Sequence, residues 1–197
     1  MREMIKMVVV LTILAAFSGG LLAAIKDGTA EDIEKQKLTF VKGPAILQIL
    51  ADATNDPIAD RFKLEAGEQE HSFFVGMIDG KPKAVAFESF GKAYGGDIGV
   101  MVGVNVETEE IIGIGVTTHQ ETPGIGARAK TDEGFQAQFA GMAFTGDFKV
   151  KPDGGQVDAL SGATITSRGV AGALTQAAQI YDQFKPQVKE KLSGFGK

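Results

Sequence analysis

The chain has no cysteine, and among its 197 residues only His71 and His119 are histidines. Without thiols it can form no disulfide, no thiolate metal site, no thiol-ligated iron–sulfur cluster and no covalent c-type haem. Two imidazoles are too few for a convincing metal centre, so no metal is expected. An excess of positive charge is missing too: 20 Lys and Arg stand against 25 Asp and Glu, a net charge of −5. With no basic cluster and no basic stripe interleaved with aromatics, nucleic acid is not an expected partner. Catalytic signatures are absent in turn. There is no G-x-S-x-G, no S-x-x-K after Ser161 or Ser167 and no H-E-x-x-H, so the common hydrolase templates do not fit and no catalytic residue is assigned. Neither a G-x-G-x-x-G nor a P-loop is present, and Gly113-Ile114-Gly115 falls inside a strand-like run.

Apolar residues, by contrast, are plentiful: the hydrophobic content of 44% is enough for a real core. Their longest run is Met7 to Ile25, which carries no charge. As a helix at ~1.5 Å per residue it spans ~28 Å, close to the hydrocarbon thickness of a bilayer. A cleaved signal peptide is the competing reading. The run is long for a signal core, however, and Leu21 and Leu22 occupy the position three residues before cleavage after Ala23 or Ala24, where a small residue is required. The expectation is a single-pass anchor. Arg2 and Lys6 on one side are matched by Lys26, Lys35 and Lys37 on the other, so charge alone does not orient it.

Beyond the anchor, at 1–26, a charged stretch at 27–43 is expected to continue the helix as a solvated stalk, with a globular domain at 44–197. Pro44 opens a short helix with Ile46, Leu47 and Leu50 on one side. His71 to Phe90 is a hairpin about Asp79-Gly80. A second hairpin covers Ile98 to Thr118, with Val100, Val102, Val104 and Val106 alternating on one face and "ETEE" as the turn. Phe135 and Phe139 mark a short helix, and Val170, Leu174, Ala177, Tyr181 and Phe184 the stripe of a final amphipathic helix. The expected class is α+β, an antiparallel sheet with packed helices, preceded by one transmembrane helix.

Two stretches are chemically crowded. In "HQETPGIGARAK", Pro123, Gly124 and Gly126 shape a turn beside the acceptor Glu121 and the hydroxyl of Thr122. In "DALSGATITSRGV", the hydroxyls of Ser161, Thr164, Thr166 and Ser167 surround Gly162 and Ala163 directly before a helix. Ser and Thr are ordinary helix caps. The same composition also suits an anion site, because a helix start offers free N–H groups and a positive dipole end. A third reading has one hydroxyl carrying a phosphate covalently.

These two stretches, together with "AYGGDIGVMVGVN" (Ala93 to Asn105) and the preceding anchor and stalk, closely resemble the FMN-binding domain of the G-type component of the Rnf electron transport complex, shared with the C-type component of the sodium-pumping NADH:quinone reductase. The resemblance covers nearly the whole chain and makes 44–197 an FMN-binding domain. It implies that a flavin transferase uses FAD to join FMN through its phosphate to Thr164, with Asp158 as the acidic start of the recognition motif. Gly162 and Ala163 would keep that loop thin, while Thr166 and Ser167 would hydrogen-bond the phosphate. His119, Glu121, Thr122, Pro123, Gly124, Ile125 and Gly126 would line the flavin, with Tyr94 a weaker candidate. The implied role is an electron carrier without a catalytic site of its own, relaying electrons among the other membrane subunits of an ion-translocating ferredoxin:NAD oxidoreductase. Its domain would lie on the periplasmic side of the inner membrane. The alternatives are the equivalent quinone-reductase component, which typically has extra sequence, and a membrane-anchored domain that binds flavin or anion without redox function.

Overall fold

The computed structural model describes residues 1–66 and 69–195, and the chain divides into two compact units, Met1–Thr39 and Phe40–Lys197. The first unit is one helix, α1 (Arg2–Lys37), in which no residue is buried. By length and composition it is able to cross a membrane. The charged stretch after Ile25 continues the same helix as far as Lys37, with Lys35–Glu31 and Lys37–Glu34 pairs at 3.0 and 3.7 Å. Such exposed pairs suit solvent but contribute only tenths of a kcal/mol, roughly 0.3–0.5 each.

A π-helical turn (Leu38–Lys42) precedes α2 (Gly43–Ile49), the first helix of the second unit. The helix buries Ala45, Ile46 and Ile49, followed by Leu50, whereas Leu47 stays 51% exposed. The expected grouping of Leu47 with Ile46 and Leu50 is therefore corrected. At about 100° per residue, Leu47 stands off the face that Ala45 and Ile49 define.

Five strands form one antiparallel sheet in chain order: β1 (Arg61–Ala66), β2 (Gln69–Ile78), β3 (Lys81–Lys92), β4 (Asp97–Asn105) and β5 (Ile111–Val116). The β2–β3 hairpin closes through Asp79 and Gly80, whose φ values of 54° and 72° are those of a two-residue turn matched to strand twist. The second hairpin turns through Val106–Glu110, where the Asn105 carboxamide accepts from the N–H groups of Glu107 and Thr108. β1 adds a strand that the sequence pattern did not announce. It pairs Phe62 with Phe73, whose rings stack at 5.4 Å.

Both faces of the sheet are covered. Phe73, Val75, Val85, Phe87, Val100, Val102 and Val104 meet the long helix α5 (Thr164–Phe195), which buries the predicted stripe Val170, Leu174, Ala177, Tyr181 and Phe184. Val106 lies past the end of β4, partly buried beside this core. On the opposite face α2 sits so close that a Cβ on Gly103 would lie 2.2 Å from Ile49. That second buried face explains why β4 is buried along nearly its whole length and not on one side only. α5 also continues beyond Lys185 through Pro186, because Val188 and Leu192 extend the buried stripe. Their burial offsets the backbone hydrogen bond that proline removes. Two short helices, α3 (Arg128–Thr131) and α4 (Glu133–Ala137), follow β5. Asp132 caps α4 by accepting from the Phe135 N–H at 3.0 Å, and Phe135 and Phe139 are both buried.

Candidate functional site

Three connections converge at one end of the sheet: the β3–β4 turn (93–96), the segment after β5 (118–127) and the approach to α5 (158–163). Between them lies a cavity of about 490 Å³. Its lining takes Tyr94 from the first, Glu121, Thr122, Ile125 and Gly126 from the second, and Gly162, Ala163 and Thr164 with Ile165 and Thr166 from the third.

Glu121 holds the three together. It is buried to 6% exposure. One carboxylate oxygen accepts from the Gly95 N–H at 2.6 Å and the other from the Thr166 hydroxyl. Gly126 lies under this bridge: a Cβ there would come within 2.5 Å of the Glu121 carboxylate and 2.7 Å of the Thr166 hydroxyl. The loop's tip is folded by Thr122, whose carbonyl accepts from the N–H groups of Ile125 and Ala127 at 3.2 and 3.1 Å. Pro123 and Gly124 form that exposed tip and do not line the cavity. His119 is also outside the lining. Its Nδ1 accepts from the Glu121 N–H at 3.3 Å.

The four hydroxyls before α5 divide into two kinds. Ser167 is fully buried, accepting from the Leu160 N–H at 2.9 Å and donating to the Ala163 carbonyl at 3.0 Å. Thr166 is buried and bound to Glu121. In this structure both hydroxyls, expected to hydrogen-bond a phosphate, are engaged in fastening the turn and the helix start. Ser161 is exposed beside the lining, not in it. Thr164 is the first residue of α5, half-buried at the cavity, and among the described residues its hydroxyl has no hydrogen-bond partner. Gly162, at φ 77°, turns the chain into the helix behind it.

Asp158 lies away from the cavity in an exposed ion pair with Lys151 at 2.7 Å, while its backbone is pinned on both sides by the Gln138 carboxamide. Nearby, Arg168 makes a two-pronged contact with Asp153, both bonds 2.7 Å, and this guanidinium holds the Asp153 carboxyl below its ordinary range. Ile165 was missed in the sequence. Its signal was an apolar residue in a first helical turn, 48% exposed in the folded chain, as are Ile125 at 48% and Tyr94 at 71%. Three large apolar groups exposed around one cavity form a surface suited to a planar ligand. Across the fold, and among the described residues, no group of three His, Cys, Asp or Glu is placed to hold a metal.

The arrangement fits FMN. The first-turn N–H groups of Thr164, Ile165 and Thr166 have no intrahelical acceptors and lie at the positive end of a long helix, where a phosphate is favoured. The apolar rim offers contact for a flavin ring.

Residues 93–179 match the FMN-binding domain family. The chain is 31% identical over 196 residues to the G-type component of the ion-translocating oxidoreductase complex of Vibrio cholerae, covering 91% of this chain and 90% of that protein. It is 32% identical over 198 residues to the corresponding Escherichia coli protein, with 95% of each chain covered. Among solved structures, Shewanella oneidensis NqrC superposes with a TM-score of 0.52 at 27% identity, covering 71% of this chain and 73% of that one. The C-type component of the Na(+)-translocating NADH-quinone reductase of Parabacteroides distasonis gives 0.51 at 32% identity, covering 59% and 63%. With its sequence matched to the G-type proteins over nearly all its length and its cavity inside the FMN-binding segment, the chain belongs to the family of G-type components of ion-translocating oxidoreductase complexes.

Proposed function

We propose that this chain is the membrane-anchored electron-transfer subunit of an Rnf-type ion-translocating oxidoreductase and that Thr164 carries FMN as a phosphoester. The observation that carries the reading is the position of Thr164: an unpartnered hydroxyl on the first residue of α5, at a cavity whose rim is apolar. Supporting it, Ser167 and the Glu121–Thr166 bridge rigidify the surrounding backbone, so of the two uncommitted hydroxyls, Ser161 and Thr164, the one that lines the cavity is held at a fixed place.

Thr164 has no adjacent base, as expected of a substrate of a separate transferase. In that reaction the Thr164 oxygen attacks the flavin-side phosphorus of FAD. The phosphoanhydride breaks, AMP leaves with the bonding electrons and the hydroxyl proton passes to the transferase. When bound, FMN supplies one- and two-electron redox chemistry. The residues of this chain would bind and shield it: the first turn of α5 would hold the phosphate, and Tyr94, Ile125 and Ile165 would offer apolar contact to the ring. Phosphate attachment leaves the ring itself unsubstituted, so polarity and packing around it set the potential. The tether and the α1 anchor keep the flavin near its redox partners at high effective concentration. By resemblance, the domain lies on the periplasmic side.

The test is expression with a flavin transferase, followed by fluorescence of the denatured band and the mass of the intact denatured protein. The wild-type chain is expected to retain one FMN, and Thr164→Val none. A fluorescent Thr164→Val band would place the linkage elsewhere, and a wild-type chain without covalent flavin would reject the phosphoester.

A further inference from the structure

The sheet leaves hydrogen bonds unmade between β2 and β3. Their ladder runs from Ile78 opposite Lys81 only as far as Phe74 opposite Ala86. Beyond it β2 pairs only with β1, and β3 only with β4. Antiparallel alternation tells which groups are left over. The Val75 N–H donates to Asp60 on the β1 side at 2.8 Å, so Ser72 and Glu70 direct their N–H and C=O toward β3. Gly99 bonds Thr117 and Thr118 on the β5 side at 2.9 and 2.8 Å, so the even positions of β4 serve β3. The main-chain groups of Glu88 and Phe90 and the Lys92 N–H consequently face β2, while the Lys92 carbonyl lies against Gly169 of α5. Among the described residues those facing β2 have no partner.

The divergence has a cause in α5. The end of β3 is drawn onto the first turns of that helix: the buried Ser89 hydroxyl donates to the Ala173 carbonyl at 2.8 Å, and a Cβ on Gly91 would lie 1.9 Å from the Gly169 carbonyl. β2 instead follows the helix further along, where Phe73 and His71 meet Phe184 with ring centroids 6.0 and 5.8 Å apart. Between these two attachments opens a cleft of about 720 Å³, floored by the stripe Gly172, Gln176 and Ile180.

We propose that this cleft receives an extended segment of another subunit of the complex, added as a strand along the free edge of β3. This inference rests on the reading that the chain works inside such a complex. Five residues of β3, Glu88 to Lys92, give ~17 Å of edge at about 3.4 Å per residue, the length of an ordinary strand. The charges at the mouth are already paired, Lys42 with Glu88 at 2.8 Å and Lys92 with Asp97 at 2.6 Å, so the cleft favours a neutral segment. One set of alternate side chains would rest over Gly172 against Ile180. The other set would lie beside Phe90, which is 47% exposed.

Hydrogen exchange on the full chain tests this, purified alone in detergent and within the assembled complex. Amides of Ser72, Glu88, Phe90 and Lys92 are expected to exchange freely in the isolated chain and at least tenfold more slowly in the complex. Equal rates in the two states would overturn the proposal. So would protection that grows with concentration of the isolated chain, because the occupant would then be a second copy. Gly172→Trp provides a second arm. A Cβ at Gly172 meets nothing within 4 Å, so the variant should fold and keep its covalent flavin while filling the floor. It is expected to lose the protection, and full protection in this variant would overturn the site. A complex that forms without protecting these amides rejects the docking site alone, whereas a wild-type chain that assembles with no other subunit rejects the proposed function with it.

Discussion

Glu121 and Thr166 lie 45 residues apart and share a buried hydrogen bond, the Thr166 hydroxyl donating to the Glu121 carboxylate. The other carboxylate oxygen is taken by the Gly95 N–H at 2.6 Å, so one side chain ties the β3–β4 turn and the loop after β5 to the start of α5. Its first effect is therefore on the shape of the site. Glu121→Ala strands two donors and is expected to cost roughly 1–3 kcal/mol. Glu121→Gln keeps one acceptor oxygen and should cost less. Thermal melts of the flavin-free domain, read beside covalent loading, check the order of wild type, Gln and Ala. A melting temperature unchanged by Ala would remove the fastening role.

Gly126 reports on the same bridge from beneath. Because a Cβ would press on both bridging groups, Gly126→Ala is expected to separate Glu121 from Thr166 and lower stability by about 1–3 kcal/mol, the range for overpacking a tight site. In the Glu121→Ala background the added penalty should shrink, since the crowded carboxylate is gone. A double-mutant cycle measures this coupling, and strictly additive effects would contradict it.

Tyr181 offers a pH test. Its hydroxyl is buried with no partner among the described residues, and burial pushes its pKa up to about 12, aided by Glu109 and Asp182. The fold thus holds the neutral phenol. Its contribution is intact below the unfolded value of about 10 and is lost as pH rises through about 12. Tyr181→Phe is expected to be neutral or slightly stabilising at pH 8, and to flatten the loss of stability between about pH 10 and 12. Urea midpoints at pH 8 and pH 11 decide it, and parallel losses in the two proteins would locate the alkaline transition elsewhere.

Membrane attachment is expected to reside in the first unit alone. The full protein should remain with membranes after a high-salt wash, because burial of the Met7–Ile25 run is not screened by salt. A chain beginning at Phe40 should be soluble and keep the fold of the second unit. Recovery of the full protein in the salt wash would argue against an anchor. The cysteine-free background also allows a single Thr108→Cys label on the exposed β4–β5 turn. An impermeant maleimide should reach it from the periplasmic side, and labelling only after the inner membrane is broken would reverse the orientation.

Much of the fold is local chemistry and could be read directly. Asp79-Gly80 requires positive φ at two successive positions, so the β2–β3 hairpin was legible, and the 4-3-4-3 spacing of Val170 to Phe184 marked the buried face of α5. The hydroxyl-rich approach to α5 likewise stands out in the sequence as a candidate site. Other features exist only because distant segments meet. β1 offered two alternating apolar residues, Phe62 and Leu64, and became a strand through its pairing with β2. Pro186 is a stop signal in isolation, yet Val188 and Leu192 find the core and carry the helix past it. Four similar hydroxyls cannot be ranked by composition. Partners far along the chain turn Thr166 inward, Ser167 closes the turn, and Thr164 is left at the cavity. Propensity and periodicity act over a few residues and so are written in the sequence, whereas which polar group is satisfied and which is left free depends on long-range contacts that form only in the folded chain.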